Sequence, residues 1–226
     1  MEGMYNLVKD FFSHDMDLVD LFDSEAIIWI DWREYDEDVV NYFNDMMDEP
    51  IDIQTVSNGK PYGDDIVLKK GDKELQIPYG DEQDRDVTIK YFNDFVQPDY
   101  EVRWFAESLG NDTLGFTVLS GAEWAKLNDE FGEDVIRYYF EPIDFESDMF
   151  NLGMDEVFAL LALRENSEGV NTQFSTQLDW IRIINKEKTL TEQKENGQID
   201  LKQYMVAKKE LQQSKDDFIA AHGPMK

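Results

Sequence analysis

The sequence predicts an α+β fold: a mixed or antiparallel sheet covered by helices, with an all-helical C-terminal appendage. Three observations carry this. Up to about residue 145, strand-type and helix-type stretches mix without the strict alternation of βαβ units. Beyond Met149 the strand signals fade and only helical periodicity remains. Charge shifts too: residues 186–226 hold eight Lys and seven Asp or Glu, so almost all of a net charge of −29 lies in residues 1–185. The expected organisation is an acidic α+β domain over 1–150 and a helical region over 151–226.

Residues 4–23 place Leu7, Val8, Phe11, Phe12, Leu18, Val19, Leu21 and Phe22 at broadly helical spacing. In an unbroken helix Asp15 would fall within that apolar face. A break is therefore expected near Ser13-His14, with Ser13 or Asp15 capping a second short helix. The run Ala26-Ile27-Ile28-Trp29-Ile30 is apolar, β-branched and aromatic, which suits a central strand buried on both faces. The period then changes. Val39, Val40, Phe43, Met46 and Met47 recur at helical spacing, and Asp36, Glu37, Asp38, Asp45, Asp48 and Glu49 fall mostly opposite. Asp36 to Asp38 suit a first helical turn, where the exposed N–H groups favour carboxylates, and Pro50 ends the helix.

Residues 51–58 alternate as a strand, and Asn58 to Gly63, with Pro61 and Tyr62 inside it, reads as a turn-rich loop. Ile66 to Lys69 and Glu74 to Ile77 flank Lys70-Gly71-Asp72-Lys73, a hairpin signature. Val87, Ile89, Phe92, Phe95 and Val96 give a helix that stops before Pro98. Tyr100 to Glu107 and Thr113 to Leu119 form a second hairpin around Gly110-Asn111-Asp112. Ser120 with Glu123 is a capping box, opening a helix through Trp124, Leu127 and Phe131 that closes at Gly132. Met154 to Leu163, Phe174 to Ile184 and Ile199 to Ala221 read helical, with Gly169 and Gly197 as breaks.

Composition narrows the chemistry. Fifty Asp and Glu stand against twenty-one Lys and Arg, which argues against nucleic acid or an anionic membrane as a direct partner. With no cysteine, disulfides, thiol nucleophiles and cysteine-ligated metal sites are excluded. Neither a signal peptide nor an apolar run of membrane-spanning length is evident, so a cytoplasmic location is expected. His14 and His222 lie near no nucleophile elbow, and GxxxxGK[ST], GxGxxG and HExxH are missing. The densest carboxylate loop, Gly80 to Asp86, lacks the EF-hand order; capping of the following helix by Asp84 or Asp86 is favoured over a metal site. No catalytic residue, metal or cofactor is assigned.

The aromatics sort by their surroundings. Trp29, Trp104 and Trp124 lie on apolar faces and are expected in the core. Trp32 and Tyr35, between the strand and the acidic helix, are expected at the surface, where aromatics among carboxylates make an interface anchor. The candidate partner-binding set is therefore Trp32, Tyr35, Asp36, Glu37, Asp38, Asp45, Asp48 and Glu49.

In the appendage, Gly197, Ile199, Tyr204, Lys208 and Leu211 are spaced as in the SHOCT family, the short C-terminal oligomerisation-type helical hairpin, which residues 189–213 resemble. Gln203 stands where that family usually has Glu. The resemblance implies self-association or partner docking through Ile199, Tyr204, Lys208 and Leu211, and a homo-oligomer built by the C-terminal helices.

The function these features favour is binding: an acidic inhibitor or immunity-type protein that blocks a basic surface, such as the nucleic-acid groove of a defence or nucleic-acid-processing enzyme. A non-enzymatic adaptor or assembly protein is the alternative, and a carboxylate- or metal-dependent hydrolase the third.

Overall fold

The computed structural model describes residues 2–60, 63–166 and 172–225. The chain forms two compact units, Met1–Asn151 and Leu152–Lys226. The first carries 38 Asp and Glu against 11 Lys and Arg; residues 152–226 carry 12 against 10. The acidity is thus a property of one unit.

In the first unit, α1 (Glu2–Phe12) and the short α2 (Leu18–Phe22) are separated by His14, at φ 63°. The cap of α2 is neither Ser13 nor Asp15 but Asp17, whose carboxylate accepts from the Asp20 N–H at 2.9 Å. The chain needs that extra length because the Asp15 and Met16 amides still bond back to the Asp10 carbonyl.

A four-stranded antiparallel sheet follows, built from β1 (Ile28–Asp31), β5 (Tyr100–Phe105), β6 (Thr113–Ser120) and β7 (Phe140–Pro142) in the order β1-β6-β5-β7. The β1 strand therefore lies at an edge and is not central. Ala26, Ile27 and Ile30 are buried, while Ile28 and Trp29 are only half-buried. The central pair is β5 and β6, whose apolar residues read through because helices cover both faces. Phe105 and Leu119 join Met4, Val8 and Phe12 of α1 and Trp124 and Leu127 of α5 (Gly121–Phe131) in one cluster. On the other face Phe116 meets Phe43 at 5.6 Å between ring centroids. Phe43 belongs to α3 (Asp36–Asp45) and also meets Phe92 of α4 (Arg85–Val96) at 5.6 Å. On the Phe105 face, Gly115 makes room for Ile27: a β-carbon there would lie 2.8 Å from it.

The α5 helix has the reciprocal Ser120–Glu123 capping box and ends at Gly132, φ 92°. It leads into α6 (Glu133–Tyr139) and then β7, a strand of three residues that no periodicity could mark. A separate antiparallel sheet, β2-β3-β4, comprises β2 (Asp52–Lys60), β3 (Gly63–Lys70) and β4 (Lys73–Gln76). Its second hairpin turns through Gly71, φ 58°, and Asp72. Of the expected loop from Asn58 to Gly63, Pro61 and Tyr62 lie outside the described residues. The α3 helix stops at Asp45, before Pro50, because Asn44 turns inward and its amide exchanges two hydrogen bonds with the Ile51 backbone.

The second unit consists of α7 (Met154–Asn166), α8 (Phe174–Glu195) and α9 (Leu201–His222). The expected break at Gly169 lies outside the described residues; Gly197, φ 68°, does separate α8 from α9. These two helices run antiparallel, with Trp180 against Phe218 and Lys194 over Tyr204. Among the described residues no helix is long and apolar enough to cross a membrane.

Because Phe43 is fully buried between Phe92 and Phe116, Phe43→Ala leaves a cavity between α3, α4 and the sheet. It should cost ~3–5 kcal/mol, read as a lowered midpoint in chemical unfolding followed by circular dichroism.

Candidate functional site

The turn between β1 and α3 is built from its own carboxylates and one arginine. Asp31 accepts from the Arg33 N–H at 2.8 Å, and Glu34 reaches back to the Asp31 N–H at 3.0 Å. Beneath this turn lies Arg85, the first residue of α4. Its Nε donates to Asp36 at 2.7 Å and its Nη1 to the Asp31 carbonyl at 2.9 Å; Nη2 donates to the Glu34 carbonyl. Arg85 thus fastens the turn at three points. The second Asp36 oxygen accepts from the Thr88 hydroxyl, which lies 2.7 Å from Tyr79 Oη. Burial pushes the Tyr79 hydroxyl far above the usual tyrosine range.

Asp36 is consequently 5% exposed and its charge is spent internally, so it leaves the candidate partner-binding set. The sequence pattern placed it with the first-turn carboxylates because its partner lies 49 residues away. Other members of the set stay at the surface. Trp32 is 57% and Tyr35 70% exposed; Glu37 and Asp38 are half-buried, and Asp45, Asp48 and Glu49 are exposed. Asp48 and Glu49 lie beyond the last turn of α3, on the segment that Asn44 anchors, and the Glu49 N–H donates to Tyr100 Oη at 3.1 Å.

One residue of this face has no place in the expected set. Tyr42, 39% exposed, falls seven residues after Tyr35, as Asp45 falls seven after Asp38. The four residues share one side of α3 by helical geometry, and that seven-residue repeat of tyrosine and aspartate was the available signal. The Glu34 charge beside it raises the Tyr42 hydroxyl above its ordinary 10.0, with burial and Asp38 acting the same way. The face therefore shows a neutral Tyr42 phenol between carboxylates.

Two aromatic contacts support the turn from behind. The Trp32 ring meets Phe150 edge-on at 5.0 Å, and the Arg85 guanidinium sits over the same Phe150 ring at 5.4 Å. Phe150 is held in turn by Asp86. Of the two expected caps for α4, Asp84 is the one used, accepting from the Val87 N–H at 3.2 Å. Asp86 is instead buried, and its carboxylate accepts the backbone N–H groups of Met149, Phe150 and Asn151 at 3.0, 2.8 and 3.1 Å. Burial raises its carboxyl above the ordinary 3.8; the three N–H donors and the Lys90 charge oppose that rise. Among the described residues no group of three or more His, Asp or Glu side chains is arranged to hold a metal ion.

In the second unit, Ile199, Tyr204 and Leu211 are half-buried and Lys208 is exposed, its ammonium 5.7 Å from the centre of the Tyr204 ring. Tyr204 lies between Lys208 and Lys194, so this part of the SHOCT-like set serves the α8–α9 hairpin itself. The exposed apolar residues of α9 are Leu201, Met205, Val206 and Ile219.

No protein-family model, curated protein or solved structure matches this chain.

Removing the guanidinium strands a buried carboxylate. Arg85→Ala should destabilise the acidic unit by ~3–5 kcal/mol, measured by chemical denaturation. Asp86→Asn leaves one acceptor oxygen for three donors and sets an amide N–H against a backbone N–H, at a cost of ~1–3 kcal/mol. Its pH dependence has a definite sign. Between 3.8 and the higher folded value, the folded chain binds more protons at Asp86 than the unfolded chain. Stability from this group is thus present below 3.8 and is lost as pH rises through the folded value. Thermal melts across this window should show the gap between wild type and Asp86→Asn narrowing as pH rises.

Proposed function

We propose that this protein acts by binding, presenting the exposed face of α3 and the turn before it to a basic surface on another protein. The observation that carries this is the pairing of exposed Trp32, Tyr35 and Tyr42 with Asp38 and Asp45 on α3 and the turn before it, which Arg85 holds in place. Aromatics supply contact area at little entropic cost, and carboxylates supply selectivity and speed of encounter. A turn already fixed by Arg85 loses little freedom on binding, so more of the contact energy appears as affinity. The partner class is a cationic protein surface of the kind that holds nucleic acid. Acidic side chains can occupy phosphate positions there, and a unit bearing 38 acidic residues against 11 basic ones is drawn to such a surface electrostatically. The protein would then be an inhibitor or immunity-type factor.

Affinity purification with the full chain, followed by competition with duplex DNA or RNA, tests this. A basic protein that is captured by the wild type and released by nucleic acid supports inhibition by mimicry. Tyr35→Ala with Tyr42→Ala should change stability by no more than about 0.5 kcal/mol and weaken capture by about 2 kcal/mol or more. Asp45→Asn with Glu49→Gln should leave the melting temperature unchanged or higher, slow association and flatten its salt dependence. Capture that ignores salt and all four substitutions would reject this face.

The adaptor reading draws on a different observation. The second unit exposes Met154, Phe158 and Leu161 along one side of α7, and Leu201, Met205 and Val206 on α9. Clusters of large apolar side chains in solvent are typical of protein-docking surfaces. Structural or assembly proteins among the captured partners, lost on Phe158→Glu but kept on Tyr35→Ala, would favour that role.

A further inference from the structure

The acidic unit has four edge strands among its described residues, and three are guarded. β1 and β7 are four and three residues long, and β4 (KELQ) is short and charged. Shortness and charge are the usual devices that stop a sheet edge from pairing with another chain. β2 has neither. It is nine residues long, pairs only with β3, and carries no charged side chain from Ile53 to Gly59. Its one guard is a β-bulge between Ser57 and Lys60, at one end of the strand, which leaves Asp52–Ser57 in regular register along β3. Gln54, Thr55, Val56 and Ser57 are all exposed, Val56 at 49%.

Charge identifies what this edge can accept. Residues 51–77, which contain the whole β2-β3-β4 sheet, hold five acidic and four basic side chains. The rest of Met1–Asn151 holds 33 acidic and 7 basic. Within this strongly negative unit, a second copy is repelled almost everywhere except here. The strand is also complementary to itself. It begins at Asp52 and ends at Lys60, so antiparallel pairing about Val56 brings the acidic end of one copy to the basic end of the other.

We propose that β2 is a self-association edge: two copies pair antiparallel through β2 about a two-fold axis near Val56, joining two three-stranded sheets into one. Main-chain hydrogen bonds supply the contact, as in other strand additions, and the two-fold makes it closed, so it ends at the dimer. This surface is separate from the α3 face and does not depend on it.

Sedimentation of the full chain over a range of concentrations, at low and high salt, tests the proposal. The expected result is a monomer–dimer equilibrium with no larger species, shifted toward dimer by salt as the remaining repulsion is screened. Val56→Lys sets a charge directly against its symmetry mate, Thr55→Lys places another diagonal to its own, and the pair should raise the dimer dissociation constant ~100-fold or more. Circular dichroism verifies that the variant is folded. Met205→Glu with Val206→Glu in α9 should leave the dimer intact. Hydrogen exchange on the wild-type chain decides the matter without substitutions, because amides within residues 53–58 should gain protection as protein concentration rises. A chain that stays monomeric throughout, a dimer indifferent to the Lys pair, or a dimer abolished by the α9 pair instead would overturn the proposal.

Discussion

Arg85 is the constraint on which the acidic unit's surface depends. Taking a guanidinium and a carboxylate out of water costs several kcal/mol per ion, and Coulomb attraction alone often fails to offset it. Here the guanidinium meets Asp36 and two backbone carbonyls, while the second Asp36 oxygen takes the Thr88 hydroxyl. Every strong polar partner of the pair is therefore in place, the condition under which such a pair specifies a single arrangement instead of leaving charge stranded. What it specifies is the path of residues 31–36. That path puts Trp32 and Tyr35 outward on a support with little freedom to move.

The neighbouring residue does the same work in another direction. Asp86 follows Arg85 at the start of α4, yet its carboxylate gathers the backbone of Met149–Asn151. Phe150, delivered by that grip, then lies against both Trp32 and Arg85. Three stretches distant in sequence thus close on the first turn of one helix. In a unit burdened by negative charge, Asp36 and Asp86 are both turned inward as structural acceptors, the first neutralised by an arginine and the second solvated by backbone amides. The second arrangement carries a cost, visible as the raised Asp86 carboxyl, because N–H dipoles replace water less completely than a cation would.

Much of the architecture was legible because it is written in local chemistry. The Ser120–Glu123 capping box, the Gly71-Asp72 turn, the Gly132 stop and the apolar stripe of α3 all follow from neighbours within a few residues. What escaped is what depends on distant partners. The apolar run ending at Ile30 announces burial but not position in a sheet, so an edge strand with Ile27 buried on one face and Ile30 on the other resembles a central one. Asp36 and Asp86 look like ordinary first-turn carboxylates until Arg85 and the 149–151 backbone arrive beside them. Trp29, expected in the core, packs at its rim: it is half-buried against the cluster of Phe105 and Leu119, and its indole N–H bonds the Phe22 carbonyl. Tyr42 was within reach, since its relation to Tyr35 needs only helical periodicity.

Charge is the thread connecting both surfaces. A net −27 over Met1–Asn151 repels copies of the chain and attracts cationic partners, and each effect is screened over about 8 Å at physiological salt. The consequence depends on where the charge lies. On the α3 face, the proposed binding surface, carboxylates beside exposed aromatics would bias encounters toward a basic partner before any contact forms, and would disfavour a second copy. Around β2, four lysines against five carboxylates leave that bias nearly flat, so backbone pairing and a few β-branched side chains decide what approaches. A uniformly acidic surface would have one electrostatic preference everywhere. By concentrating four of eleven cations in one small sheet, the unit has two, and an interaction at either surface can respond to salt in the opposite sense from the other.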